Sequence, residues 1–320
     1  MTSLDDALQG FWIARERNYS PHTIRDYTGT FRRFQQYLNL HDGPADIEDI
    51  TARHINQFLN WLASACKLSN KTICNHWTAL SALWTWSEIN LDTPHVIRGR
   101  IPPPKFQRRQ PQPYSEDQVK AMLGACDTTD PWRTRPGIRT RRATRLRDRA
   151  ILLTLLDTGL RASELCALRI DDYDPTTGRI HVRHGKGDKE RNVFIGYAAR
   201  GALWKYIEQR KRTRKATTGA ASLGRVEPLF ATNSNRHLTR DNLLHLIQNI
   251  GQRAHVPNPT VHRWRHTFAI TMLRNGCNPY ALQELLGHSD METVKLYLKI
   301  VEQDLRTIVA AHSPGDTWRL

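Results

Sequence analysis

The chain has 320 residues, 39% of them hydrophobic and 24% charged, and a formal net charge of +16. This composition excludes a disordered or low-complexity chain and leaves room for two domains of ordinary size, about 100–200 residues each. The charge favours a polyanionic partner, because each Lys or Arg placed on a phosphate releases a condensed counterion, and nucleic acid leads that class.

An anionic membrane surface is the rival partner, but no apolar run approaches the roughly 18–20 residues that span a bilayer. The amino terminus, MTSLDDALQG, is acidic and lacks the basic and apolar regions of a signal peptide, so the cytoplasm is the expected location. Cys66, Cys74, Cys126, Cys166 and Cys277 form no C-x-x-C pair, and the histidines form no H-E-x-x-H motif. Neither a structural metal nor a cofactor is expected.

In chain order, Ser20-Pro21 places a capping residue before a proline at the first helical position, and apolar residues recur at Ile24, Tyr27, Phe31, Phe34 and Leu38. Further helical faces follow at Ile55, Phe58, Leu59 and Leu62, then at Cys74, Trp77, Leu80, Leu83 and Trp84. Residues 1–95 are thus expected to form an all-helical domain. Residues 96–114 hold Pro102-Pro103-Pro104, Pro111, Pro113 and several basic side chains, and proline forbids continued helix or central strand. The segment is expected to be an extended basic linker, either a plain spacer or a contact for a phosphate backbone.

A second domain is expected over 115–320. Ser115-Glu116-Asp117-Gln118 opens a helix with a capping serine and acidic first-turn residues that suit the positive end of the helix dipole. The arginine-rich run from Arg133 to Arg149 reads as a solvated loop leading into a strongly apolar helix, Leu146 to Thr158, which ends at Gly159. Two alternating runs, Arg179–Arg183 and Asn192–Ile195, flank a glycine-rich basic turn and predict a β-hairpin. From Arg200 onward the periodicity is helical, around Leu203–Gln209, Arg240–Ala254, Thr260–Asn275, Pro279–Leu286, Met291–Ile300 and Val301–His312. The fold class is therefore mainly α with a small β-sheet.

The chemistry-bearing residues are each ambiguous alone. Tyr297 is a packing aromatic or a nucleophile; a phenol attacks well only where cations stabilise the phenolate or a neighbour takes its proton. His262 and Arg265 lie at i and i+3 on one helix face just after Pro259-Thr260, able to grip one phosphate or simply to be solvated. Arg161 follows a buried helix end and has Glu164 three residues on, which suits either a structural ion pair or an aimed guanidinium. Lys186 sits in the glycine-flanked turn, solvated or free to swing onto a substrate.

Their combination in order is more specific: Thr158-Gly159-Leu160-Arg161-Ala162-Ser163-Glu164-Leu165, Gly185-Lys186-Gly187, His262-Arg263-Trp264-Arg265-His266-Thr267, Leu285-Leu286-Gly287-His288, and Tyr297 nine residues later. This set resembles the tyrosine recombinases, the phage-integrase and Xer family, throughout the second domain. The helical first domain with its basic linker looks like the SAM-like core-binding domain of that family.

The resemblance implies that Arg161 and Arg265 hold the non-bridging oxygens of a scissile phosphate, that His262 assists proton transfer and that His288 adds a hydrogen bond. It further implies Lys186 as general acid for the 5′-oxygen and Tyr297 as the nucleophile forming a 3′-phosphotyrosyl intermediate, with no metal or ATP. The implied activity is site-specific recombination of double-stranded DNA through a Holliday junction, by a homo-tetramer on synapsed DNA. A type IB topoisomerase and a non-catalytic DNA-binding architectural protein are the alternatives.

Trp264 stands where the family more often has leucine and is expected to pack behind the site, and His266 is expected in the core or supporting the site from behind. The arginine-rich run has no family counterpart, so its DNA role is an expectation from charge alone. Val301, Leu305, Ile308 and Val309 make a narrow apolar stripe, which packs on its own domain or docks on a neighbouring protomer.

Overall fold

The computed structural model describes residues 1–107, 110–127, 142–183, 190–217, 227–232, 234–287 and 292–301, with 309, 313 and 315. Lys186, His288, most of the arginine-rich run and the stripe residues Leu305 and Ile308 lie outside the described residues. The chain divides into two compact units, Met1–Arg109 and Gln110–Leu320. None of the helices among the described residues is long and apolar enough to cross a membrane.

The first unit is helical: α1 (Leu4–Arg15), α2 (Pro21–Leu40), α3 (Ala52–Ser64) and α4 (Asn70–Asn90). Serine hydroxyls cap three of them, Ser3 accepting from the Asp6 amide, Ser20 from Thr23 and Ser69 from Thr72. Each cap satisfies one of the amides that a helix start leaves without an intrahelical partner. The periodic positions of α2 to α4 supply the core, where Phe34, Phe58, Leu62, Leu80 and Trp84 are fully buried and the Phe34 and Phe58 rings meet edge-on at 5.0 Å.

Two features depart from the sequence expectation. Helix α1 adds Leu4, Ala7, Leu8 and Phe11 to the core, an i, i+3, i+4, i+7 pattern overlooked behind the acidic first turn. The segment expected as linker from residue 96 begins instead as part of the first unit. Val96, Ile97 and Ile101 are buried against its helices, and the Trp77 indole donates to the Ile101 carbonyl at 3.0 Å. Prolines bar this stretch from a helix, but they do not stop its apolar side chains from leaving water.

The second unit contains α5 (Glu116–Ala125), α6 (Arg145–Thr158), α7 (Ala162–Ala167), β1 (Arg179–Val182), β2 (Arg191–Phe194), α8 (Tyr197–Thr217), α9 (Arg240–Arg253), α10 (Val261–Arg274), α11 (Pro279–Leu286) and α12 (Glu292–Val301). The strands pair antiparallel, with Val182 opposite Arg191 and Arg179 opposite Phe194. Helix α6 is buried nearly all round because α8 and α10 pack against it, which explains its continuous apolar run. A smaller apolar cluster of Phe268, Ala269, Ile270, Leu273, Leu282, Leu286 and Tyr297 joins α10, α11 and α12.

The described end of the arginine-rich run is not merely solvated. Asp148 is fully buried in the first turn of α6, and its carboxylate accepts from Arg147 at 2.9 and 3.0 Å and from the Thr144 hydroxyl at 2.8 Å. Arg149 donates to the Leu123 carbonyl at 3.4 Å. A buried carboxylate without such partners would cost several kcal/mol, so part of this charge serves the fold.

Candidate active site

Helices α6 and α11 both stop at a glycine in the left-handed region, Gly159 at φ +59° and Gly287 at φ +62°. A Cβ at Gly159 would run into the Phe268 ring, and one at Gly287 would come within 2.9 Å of the Arg191 guanidinium. Both positions therefore demand glycine twice over, by conformation and by space. The last carbonyls of a helix have no intrahelical donors and carry the negative end of its dipole. Three arginines supply what they lack.

Arg265, 4% exposed on α10, donates to the Gly159 carbonyl at 2.6 Å and to the Leu286 carbonyl at 2.7 Å, bridging the two helix ends. Arg161 donates to the Gly287 carbonyl at 3.3 Å and to Glu164 at 2.7 Å. Arg191 donates to the Leu285 carbonyl at 2.9 Å and makes a two-pronged contact with Glu164, at 3.0 and 2.8 Å. Glu164 also accepts from the Arg161 amide at 2.8 Å, which caps α7.

Burial alone would raise the Glu164 pKa, but Arg191 and Arg161 outweigh it and hold the carboxyl at about 2. Burial lowers Arg265 to about 10, and the neighbouring Arg161 charge acts in the same sense. One carboxylate thus faces three guanidiniums, and the excess positive charge at this junction suits an anion.

Helix α10 carries the rest of the site. Its first turn is held by Tyr114, whose hydroxyl accepts from the Thr260 amide at 2.9 Å and whose own amide donates to the Thr267 hydroxyl at 2.8 Å. Arg263 lies over the Tyr114 ring at 4.2 Å and donates to the Pro257 carbonyl at 2.7 Å, so this arginine belongs to the scaffold. Trp264 is fully buried with its ring 4.9 Å from that of Tyr114, in the packing role expected of it. His262 stands at the helix start, where desolvation of its ring, together with the Arg265 and Arg161 charges, holds its pKa below the ordinary value.

Tyr297 of α12 is 1% exposed, its ring part of the small apolar cluster. Its hydroxyl lies 2.8 Å from Nδ1 of His266. Burial raises the tyrosine pKa, while the Arg265 and Arg161 charges pull it down. His266 is pushed down to about 4, by burial first and then by His262 and Arg265. The ring of Tyr297 is therefore core, while its hydroxyl has a polar partner in His266.

Of the six residues singled out in the sequence, Arg161, Arg265, His262 and Tyr297 fall on neighbouring elements of the second unit, and Lys186 and His288 lie outside the described residues. Sequence reasoning passed over Arg191, whose partner Glu164 is 27 residues away and leaves no local signal. It also undervalued His266, although the signal was present: His266 is four residues after His262 and so shares its helix face.

Comparison with known proteins shows the family of each part of the chain. Residues 114–303 match the phage integrase family, and residues 12–89 match the phage integrase N-terminal SAM-like domain. The chain is 32% identical to the tyrosine recombinase XerA of Thermococcus kodakarensis over 90% of its own length and 88% of that protein. It is 28% identical to the tyrosine recombinase XerD of Listeria monocytogenes over 97% of its length and 99% of that protein. The chain belongs to the phage integrase family of tyrosine-type site-specific recombinases. The crystal structure of the XerH site-specific recombinase bound to palindromic difH substrate shares the fold, with a TM-score of 0.71 at 20% identity over 96% of this chain and 84% of that one.

Proposed function

We propose that the protein cuts, exchanges and rejoins strands of double-stranded DNA at a specific recombination site through Tyr297. The phosphate sits at the junction of the α6 and α11 ends, where Arg161 and Arg265 neutralise charge on a pentacoordinate phosphorus that a nuclease would meet with metal ions. The Tyr297 oxygen bonds to phosphorus, and the 5′-oxygen leaves with a proton from Lys186. The product is a 3′-phosphotyrosyl linkage. His262 assists proton transfer and His288 adds a hydrogen bond to the phosphate. Because the linkage conserves the energy of the broken bond, a 5′-hydroxyl from a second duplex reverses the step without ATP, giving a Holliday junction.

The observation that carries this reading is a buried tyrosine hydroxyl hydrogen-bonded to the same helix whose Arg265 bridges the ends of α6 and α11, with Arg161 bonded to the second of those ends. The division into two units supports the assignment of Met1–Arg109, which takes in the stretch from residue 96 first expected to be linker, as a core-binding domain and of Gln110–Leu320 as the catalytic domain, with the proline-rich, basic chain around their boundary as the connection. Four copies on two synapsed duplexes are the expected working assembly.

A nicked suicide substrate carrying the cognate site tests the reading. A denaturant-stable protein–DNA adduct should form and should vanish in Tyr297→Phe. An adduct that survives this substitution, or none on the cognate site, would sink the proposal. Supercoil relaxation without strand exchange would point instead to a topoisomerase.

A further inference from the structure

We propose that His266 is the base of the cleavage step, its Nδ1 taking the Tyr297 proton as the phenolic oxygen bonds to phosphorus. The inference rests on Tyr297 being the nucleophile. Its starting point is the 2.8 Å separation of the two atoms, within the reach of direct proton transfer, with the rings inclined at 61°.

The surroundings narrow the choice of base. Burial keeps Tyr297 a neutral phenol, so attack requires an acceptor for its proton. Arg265 and Arg161, the charged groups acting on the hydroxyl, are donors only and cannot take one. His262 acts electrostatically on His266 from the preceding turn of α10, while the hydrogen bond to Tyr297 belongs to His266.

A neutral imidazole has one nitrogen lone pair, and the proposal places it on Nδ1, facing the phenol. The ring is neutral at physiological pH, because burial, His262 and Arg265 hold it near 4. So low a value makes a weak base before DNA binds. A phosphate anion docking against Arg265 offsets one of the charges that depress it and strengthens the base when substrate arrives. Phenolic acidity rises in turn as the oxygen bonds to phosphorus.

The step balances. The Tyr297 proton moves to His266 Nδ1, the phenolic electron pair forms the phosphorus–oxygen bond, and the bond to the 5′-oxygen breaks as that oxygen takes a proton from Lys186. On rejoining, a 5′-hydroxyl attacks, Lys186 recovers a proton and His266 returns its own to Tyr297.

The test uses the full chain on nicked suicide substrates with either an ordinary 5′-oxygen or a bridging sulfur at the leaving position. A thiolate departs without a general acid. His266→Asn, which keeps a hydrogen-bond acceptor near Nδ1 without its basicity, should melt and bind DNA as the parent does and form adduct about 10²–10³-fold more slowly on both substrates. Lys186→Ala should be restored by sulfur, whereas His266→Asn should not. Added imidazole should restore part of the cleavage of His266→Ala, in proportion to its neutral fraction.

Adduct formation by His266→Asn at the parent rate or faster would overturn the proposal and leave His266 as a tether for the tyrosine. Rescue of His266→Asn by sulfur would overturn it too, by moving the residue to the leaving-group side. Neither result touches the assignment of the nucleophile, which stands or falls with Tyr297→Phe.

Discussion

The guanidinium of Arg191, on the second strand of the hairpin, lies 3.0 and 2.8 Å from the two carboxylate oxygens of Glu164 on α7. That pair joins the hairpin that bears Lys186 to the turn that bears Arg161, and through the Leu285 carbonyl it reaches the end of α11 as well. Removing one member of a buried pair leaves the other charge uncompensated, at a cost of about 3–5 kcal/mol. We expect Arg191→Ala to lower the melting temperature by several degrees and to depress adduct formation more than DNA binding, as read by calorimetry, suicide cleavage and mobility shift. An unchanged melting temperature would remove Arg191 from the frame of the site.

Glu164 also sets an acid limit. Its folded pKa of about 2 lies below its unfolded value of 4.5, so its contribution to stability is complete above about pH 5 and lost as pH falls through 2. The difference corresponds to roughly 3 kcal/mol. Glu164→Gln should flatten the decline of stability between pH 5 and 2, measured by denaturant unfolding across that range. An unaltered pH slope would show that other carboxylates carry it.

Gly159 closes α6 and offers the carbonyl that Arg265 holds. In Gly159→Ala, the left-handed backbone costs about 1–2 kcal/mol before any clash with Phe268 is counted. We expect a loss of stability above that figure and a larger loss of cleavage, since relieving the clash moves the Arg265 acceptor. Parent-like cleavage in this variant would show that the carbonyl tolerates displacement.

Arg265→Lys keeps the charge and gives up the fork. A single ammonium cannot span the Gly159 and Leu286 carbonyls and still face a phosphate. Adduct formation should fall at least about 10²-fold, as for loss of an anion-stabilising donor, with DNA affinity little changed. A lysine variant within a few-fold of the parent would mean that charge alone suffices.

Replacing Arg133, Arg135, Arg139 and Arg141 with glutamine should flatten the dependence of DNA affinity on salt, by about 0.9 in log–log slope for each phosphate that is no longer neutralised. Arg147 is the control. It neutralises the buried Asp148, so its removal should lower stability instead. An unchanged slope in the fourfold variant would confine those arginines to other work.

The helices α2 and α5 were legible from the caps at Ser20 and Ser115, because that signal depends on residues within one turn, whereas α1, with an equal cap at Ser3, was hidden behind its acidic start. The hairpin was legible from period-two alternation, and the order of Arg161, Lys186, His262, Arg265, His288 and Tyr297 was enough to indicate the family. The elements are local properties of the chain, and residue order was sufficient to indicate them and to single out candidate reacting groups.

Packing settled what those groups face. Nothing near Arg265 in sequence announces that its two donors will cap helices ending at 158 and 286, or that Arg191 will share a carboxylate with Arg161. These partners meet only because α6, α10 and α11 cross where their orphaned carbonyls can be satisfied. The same crossing lays α12 against α10, so that Tyr297 loses its water and meets His266 instead. A phenol gains or loses reactivity through burial and neighbouring charge, and both exist only once the helices have packed.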